Sequence, residues 1–163
     1  MGREIERKFL LKDDSWRKSP GMEGSLFCSQ AYFAMAEPEK GCVRVRIMGE
    51  KAFLTIKGPA KGFSRSEFEY EIPRKDAEEM MVLPAAGSRL EKKRYFVREG
   101  GFLWEIDEFL GENFPLVLAE IELPGEDTSF PVPSFIGKEV TGDKRYYNGF
   151  LVGNPYKNWK DDV

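Results

Sequence analysis

Charged and apolar residues alternate from the start of the chain: Glu4, Glu6 and Lys8 share one face of an extended segment, and Ile5, Phe9 and Leu11 supply the other. The same period of two recurs at about residues 2–11, 26–35, 42–48, 52–58, 64–73, 91–98, 102–110 and 116–123. This predicts eight strands. Links such as Met48-Gly49-Glu50-Lys51 and Arg98-Glu99-Gly100-Gly101 suit hairpins, hence antiparallel pairing. Residues 74–83 read as a short helix with acids near its start and Pro84 at its end. Beyond Pro133 the pattern suggests short helices, with Asp143 a cap for residues 144–152, and a tail near Pro155 to Trp159 that packs back. No repeat, linker or low-complexity run divides residues 1–163, so a single domain is expected.

The polar positions are sorted by sign. Arg44 and Arg46, Lys57, and Lys92 and Arg94 mark basic strands, while Glu67, Glu69 and Glu71, Glu105 and Asp107, and Glu120 and Glu122 mark acidic ones. Carboxylates two apart on a strand lie roughly 6.6–6.8 Å apart. At an effective dielectric of about 20 they repel by ~2.4 kcal/mol. A solvated face has no need of such sorting, and pairs like Glu4/Glu6 and Glu120/Glu122 call for a compensating cation. The opposite faces are apolar: Val43, Val45 and Ile47; Leu54 and Ile56; Phe68, Tyr70 and Ile72; Trp104 and Ile106; Val117, Ala119 and Ile121. A sheet curled into a closed or nearly closed barrel turns the charges inward, leaves the apolar faces to be covered by helices, and removes the sheet edges. The expected class is α+β but mainly β, an eight-stranded antiparallel barrel with a charged interior and peripheral helices.

Composition narrows what that interior can do. With 163 residues, 41% hydrophobic and 33% charged, the chain supports one globular core, and no stretch matches the ~20 apolar residues of a membrane span. A net charge of −3 attracts neither nucleic acid nor anionic lipid, so no nucleic-acid or membrane partner is expected. The N-terminus runs straight into a charged strand, which suggests a cytoplasmic location. Cys28 and Cys42 have no metal or redox spacing and are read as reduced. There is no histidine, so chemistry falls to carboxylates, lysine, arginine or tyrosine. Converging guanidinium and ammonium groups suit a polyphosphate, and acids on the other walls suit Mg2+ or Mn2+. Together they describe a metal–polyphosphate site for phosphoryl transfer.

The ordered set Glu4-x-Glu6-x-Lys8, Val43-Arg44-Val45-Arg46, Thr55-Ile56-Lys57-Gly58, Glu67-x-Glu69-x-Glu71, Glu91-Lys92-x-Arg94-Tyr95, Trp104-Glu105-Ile106-Asp107-x-Phe109 and Ala119-Glu120-Ile121-Glu122-Leu123 resembles the CYTH-domain proteins, the triphosphate tunnel metalloenzymes. The similarity spans essentially the whole chain. It is greatest to short, single-domain bacterial members, which also end in a stretch like residues 140–148. The resemblance implies an eight-stranded tunnel and metal-dependent hydrolysis of triphosphates, with inorganic triphosphate the usual best substrate. It implies that Glu4, Glu6 and Glu122 hold the substrate-contacting metal, that Glu120, Glu69 and Asp107 support it or help bind a second, and that Lys8, Arg44, Arg46, Lys57, Lys92 and Arg94 hold phosphates. Glu67, Glu71 and Glu105 are equally suited to ion pairing, and Lys93 competes with Lys92 for the inward position. Gln30 and Tyr32 are candidates for the lining, whereas Tyr146, Tyr147, Trp159 and Met80-Met81 read as packing. Adenylate cyclase, thiamine triphosphatase and a non-catalytic polyphosphate-binding module are the alternatives, and a homodimer stays open.

Overall fold

The computed structural model describes residues 2–33, 40–83, 86 and 89–159. Pro84 and the last two positions of the expected strand 26–35 lie outside them. The strands are β1 (Glu4–Leu11), β2 (Met22–Phe33), β3 (Cys42–Met48), β4 (Lys51–Lys57), β5 (Ser64–Arg65), β6 (Glu67–Ile72), β7 (Leu90–Glu99), β8 (Phe102–Phe109), β9 (Val117–Glu122) and β10 (Ile136–Glu139). The helices are α1 (Arg74–Met81) and α2 (Asn148–Gly153), with 3-10 turns at Ser15–Lys18, Gly111–Asn113, Lys144–Tyr146 and Tyr156–Asn158.

One hydrogen-bonded path runs β10-β1-β9-β8-β7-β2-β3-β4-β6, and every pairing on it for which a register is resolved is antiparallel. Nine strands therefore lie on the path where eight were expected. The addition is β10, in a segment read from sequence as helical; it pairs with β1 through Phe9 and Glu139. A four-residue strand is too short to show a period. The two-residue β5 pairs Arg65 with Glu4 and Ser64 with Ile5, and Gly2 and Glu67 exchange backbone bonds of 2.7 and 3.3 Å. These contacts bring the two ends of the sheet together into a nearly closed antiparallel barrel. Both anticipated hairpins form, and Gly100 and Gly101 at the β7–β8 turn take φ of 62° and 81°, the left-handed pair that a tight two-residue link requires.

Outside the barrel, the apolar face of β1, β9, β8 and β7 is covered chiefly by non-helical chain: Phe9, Trp104, Ile106 and Ile121 pack with Trp16, Phe130, Phe135 and Ile136. Helix α1 covers β2, β3 and β4, setting Ala77 and Met81 against Ala31, Val45 and Ala52. The expectation that helices cover every apolar face fails on β4 and β6. There Ile56, Phe68 and Tyr70 stand 45%, 43% and 52% exposed, because α1 is only eight residues long and reaches no further. Asp143 caps the 3-10 turn at Lys144–Tyr146 through the Arg145 amide, and Tyr147 is extended before α2 begins, so the expected helix over 144–152 is two pieces.

Inside, the lining changes character along the barrel axis. Lys8 and Glu120 face one another on β1 and β9, and one inward step along the strands the pair is Leu10 and Leu118. Leu10, Leu118, Phe109 and Leu90 pack with Tyr146 and Leu151, so an apolar layer under α2 stops that end of the bore. No helix among the described residues is long and apolar enough to cross a membrane.

Candidate active site

A cavity of about 300 Å3 occupies the charged part of the barrel. Its lining contains seven cationic side chains, Lys8, Arg44, Arg46, Lys57, Arg65, Lys92 and Arg94, and seven carboxylates, Glu4, Glu6, Glu67, Glu69, Glu105, Glu120 and Glu122. The structure thus brings to one space every residue that the resemblance assigned to metal or phosphate except Asp107. That carboxylate is on the same inward face but fully buried beneath Arg94 and Lys92, which donate to it at 2.7–2.8 Å. Glu71 stands apart from the cavity in an exposed pair with Lys51 at 3.6 Å.

The acidic wall is built by β1 and β9, whose antiparallel register sets Glu6 opposite Glu122 and Lys8 opposite Glu120. Burial pushes the Glu6 carboxyl up, the neighbouring Glu4 charge adds to this, and it reaches about 7. Burial raises Glu122 too, with Glu6 and Glu105 contributing. For Glu4 burial acts in the same direction, but the Lys57 ammonium 3.0 Å away and a hydrogen bond with Glu6 outweigh it and hold Glu4 low. Three carboxylates therefore crowd one mouth of the cavity with one ammonium among them. Their oxygens are the donors a hard divalent cation takes, and their mutual repulsion is what such a cation would relieve. Among the described residues, no three acidic or cysteine side chains already close around a common point. The donor chemistry fits a divalent ion, and side-chain rotation would be needed to gather the ligands.

The basic wall comes from β3 and β7. Arg44 and Arg46 both approach Glu69 at 3.5 Å, and Arg44 also donates to Thr55 at 3.4 Å. Arg94 is forked onto Asp107 and reaches Glu105 at 2.9 Å and Glu120 at 3.6 Å. Burial lowers Arg46 to about 10, helped by the Arg44 and Arg94 charges. The Nε atoms of Arg44 and Arg46 are buried with no hydrogen-bond partner among the described residues. Unpaired buried guanidinium donors are costly, and an anion in the cavity is the group that would satisfy them. Lys8, itself buried, donates to the Tyr146 carbonyl at 3.0 Å and approaches Glu120 at 3.5 Å.

Of the two adjacent lysines, Lys92 is 1% exposed and lines the cavity, whereas Lys93 is exposed and lies over Tyr95 on the outside. Tyr32 lines the cavity, its hydroxyl raised to about 12 by burial, and Gln30 lies buried behind it. Tyr146 and Trp159 pack together as expected, with ring centroids 5.2 Å apart, and Met81 is core. Tyr147 departs from the packing role: it faces the cavity with its ring 5.6 Å from Lys8 Nζ. Thr141 and Asn148 from the same C-terminal segment, and Ser64 and Arg65 of β5, also line the space and were not singled out by sequence reasoning. The only signal for the former was that residues 140–148 resemble the family's ending; nothing local to Ser64 or Arg65 sets them apart. Cys28 and Cys42 are both free thiols.

A nearly closed antiparallel barrel with this lining defines the class of protein, and comparison with known proteins agrees with it. The CYTH domain model matches residues 2–147. The chain belongs to the CYTH domain family, whose tunnel enzymes are metal-dependent. It is 47% identical over 161 residues to an inorganic triphosphatase of Acetivibrio thermocellus, covering 99% of this chain and all of that relative. It is 38% identical over 156 residues to an inorganic triphosphatase of Nitrosomonas europaea, covering 91% of this chain and 96% of the relative. A crystal structure of an inorganic triphosphatase superposes with a TM-score of 0.64 at 34% identity, covering 91% of this chain and 93% of that one.

Proposed function

We propose that this chain is a metal-dependent inorganic triphosphatase, converting triphosphate and water to diphosphate and phosphate inside the barrel. The observation that carries the reading is the balanced lining, in which two buried guanidinium Nε atoms lack partners among the described residues. A bare polyanion would leave this space strongly negative, whereas a triphosphate accompanied by divalent cations keeps it near neutral. The names of the two relatives support the choice of substrate.

In this reading Arg44, Arg46, Lys57, Lys92, Arg94 and Lys8 bind the phosphate oxygens. Glu69 orients Arg44 and Arg46, and Asp107 orients Arg94 and Lys92. Glu4, Glu6, Glu122 and Glu120 would hold Mg2+ or Mn2+, which when bound neutralises charge on the transferred phosphoryl group and activates water. The apolar layer under α2 keeps solvent out of the inner end. Fixed cations aimed at charge that grows during transfer are worth most in such a water-poor site. A cytoplasmic location accords with this chemistry. A homodimer would have the uncovered Ile56, Phe68 and Tyr70 face to use.

The test is to incubate purified protein with Mg2+ or Mn2+ and inorganic triphosphate, ATP or thiamine triphosphate, assaying phosphate and cyclic AMP. Fastest phosphate release from inorganic triphosphate is expected. Cyclic AMP as the main product, or no turnover with any metal, would overturn the proposal.

A further inference from the structure

The inner end of the cavity contains a polar chain whose hydrogen-bond directions follow from one obligate donor. Lys92 Nζ lies 2.7 Å from the Asn148 side chain and 2.8 Å from Asp107. An ammonium can only donate, so the Asn148 atom it meets must be the carbonyl oxygen. Gln30 approaches the same oxygen at 3.2 Å and must present its amide nitrogen there. The same nitrogen reaches the Tyr32 hydroxyl at 2.6 Å, so that oxygen accepts. The tyrosine's own proton is then left to donate, and Tyr32 lines the cavity. Lys92 likewise has a third N–H with no hydrogen-bond partner among the described residues, and it too lines the cavity.

Asn148 is the first residue of α2, and Leu151 on that helix is fully buried in the apolar layer. The helix is therefore anchored by packing, and the amide is carried on a fixed support. Asn148, from a segment distant in sequence, thus turns Lys92 directly and Tyr32 through Gln30, with Arg44 also bonded to the Tyr32 hydroxyl.

We propose that Asn148 is a positioning residue for triphosphate hydrolysis: its carbonyl oxygen, shared by Lys92 and Gln30, aims the Lys92 ammonium and, through Gln30, the Tyr32 hydroxyl proton at phosphate oxygens of the substrate. This rests on the triphosphatase reading. Substrate stays held by Arg44, Arg46, Lys57 and Arg94 when Asn148 is changed, so the loss falls on turnover. Two misdirected donors cost reaction geometry more than ground-state affinity.

Steady-state kinetics with inorganic triphosphate and Mg2+ on the full chain, with thermal midpoints, provide the test. Asn148→Leu keeps the branched shape and removes the acceptor; kcat should fall by about tenfold or more with KM within about threefold. Asn148→Asp keeps the acceptor and should return kcat to within about threefold of the parent. A folded Asn148→Leu variant with the parent's kcat, or an Asn148→Asp variant no better than it, overturns the inference. Should Asn148→Leu fail to fold, Asn148→Ala is judged by the same two criteria. A parent protein that releases no phosphate overturns the proposed function instead.

Discussion

Arg94 on β7 and Asp107 on β8 are directly opposed in register and joined by two hydrogen bonds, 2.7 Å to one carboxylate oxygen and 2.8 Å to the other. Lys92 donates to the same carboxylate, so one sequestered anion fixes two cations that face the cavity. Burial alone would raise the Asp107 carboxyl, but Arg94 and then Lys92 hold it well below the usual carboxylate range. Asp107→Asn would remove the anion that Lys92 and Arg94 share, leaving Arg94 only Glu105 and Glu120 and Lys92 no carboxylate within salt-bridge distance among the described residues. A loss of about 3–5 kcal/mol of unfolding free energy in urea is expected, as for breaking a buried pair from one side. The parent should also lose this contribution as pH falls below the ordinary aspartate value of about 3.9, since a depressed folded pKa stabilises only above the unfolded one. A variant as stable as the parent at pH 7 would contradict the role given to Asp107.

Glu6 predicts the opposite pH dependence. Its folded carboxyl titrates at about 7, above the ordinary value of 4.5, so the folded state holds a proton that the unfolded state has released between those limits. Stability from this group is present below pH 4.5 and declines as pH rises to 7. In metal-free buffer at pH 8, Glu6→Gln should therefore be more stable than the parent by about 1–3 kcal/mol, with the difference vanishing near pH 4. The same variant should lose nearly all turnover. Thermal unfolding in a chelating buffer at the two pH values decides the first expectation, and phosphate release decides the second.

Arg46 carries a comparable cost for function. Buried, flanked by Arg44 and Arg94, and left with an unpartnered Nε, its charge is held in an unfavourable place until an anion arrives. Arg46→Met should leave the ligand-free protein as stable as the parent or more so, while weakening binding of inorganic triphosphate by about tenfold or more. The Michaelis constant for triphosphate with Mg2+, beside a thermal scan of the ligand-free protein, checks both halves. Unchanged binding would remove Arg46 from the phosphate-holding set.

The uncovered strip on β4 and β6 gives a prediction about the outside. Phe68 lies opposite Ile56 and stands 43% exposed. If the chain works as a monomer, Phe68→Thr should change stability by no more than about 0.5 kcal/mol and leave kcat alone. Sedimentation of parent and variant distinguishes a monomer from a pair of chains that bury this strip; a parent dimer dissociated by the substitution would assign the face to self-association.

How far the sequence could be read depends on the range of the interactions involved. Period-two alternation is a property of neighbouring residues, and it located eight strands, their inward faces and both tight hairpins. Segregation of charge by strand, with no histidine present, placed cations and carboxylates in one enclosed space, and the motif order identified the family. β10 and the C-terminal plug were not legible, because four residues show no period and Asn148 or Tyr147 has no local mark of facing a cavity. The distinction between Lys92 and Lys93 also escaped, since both are lysines and only the pleat separates them. Asp107 has the same alternation as Glu105, yet one is sealed behind Arg94 and the other lines the bore. Sequence by itself thus determined which face of most strands turns inward. Tertiary structure decided which of them meet solvent, which are consumed by ion pairs, and where the bore ends, because those outcomes depend on distances between strands and on a terminal segment folding back across the barrel.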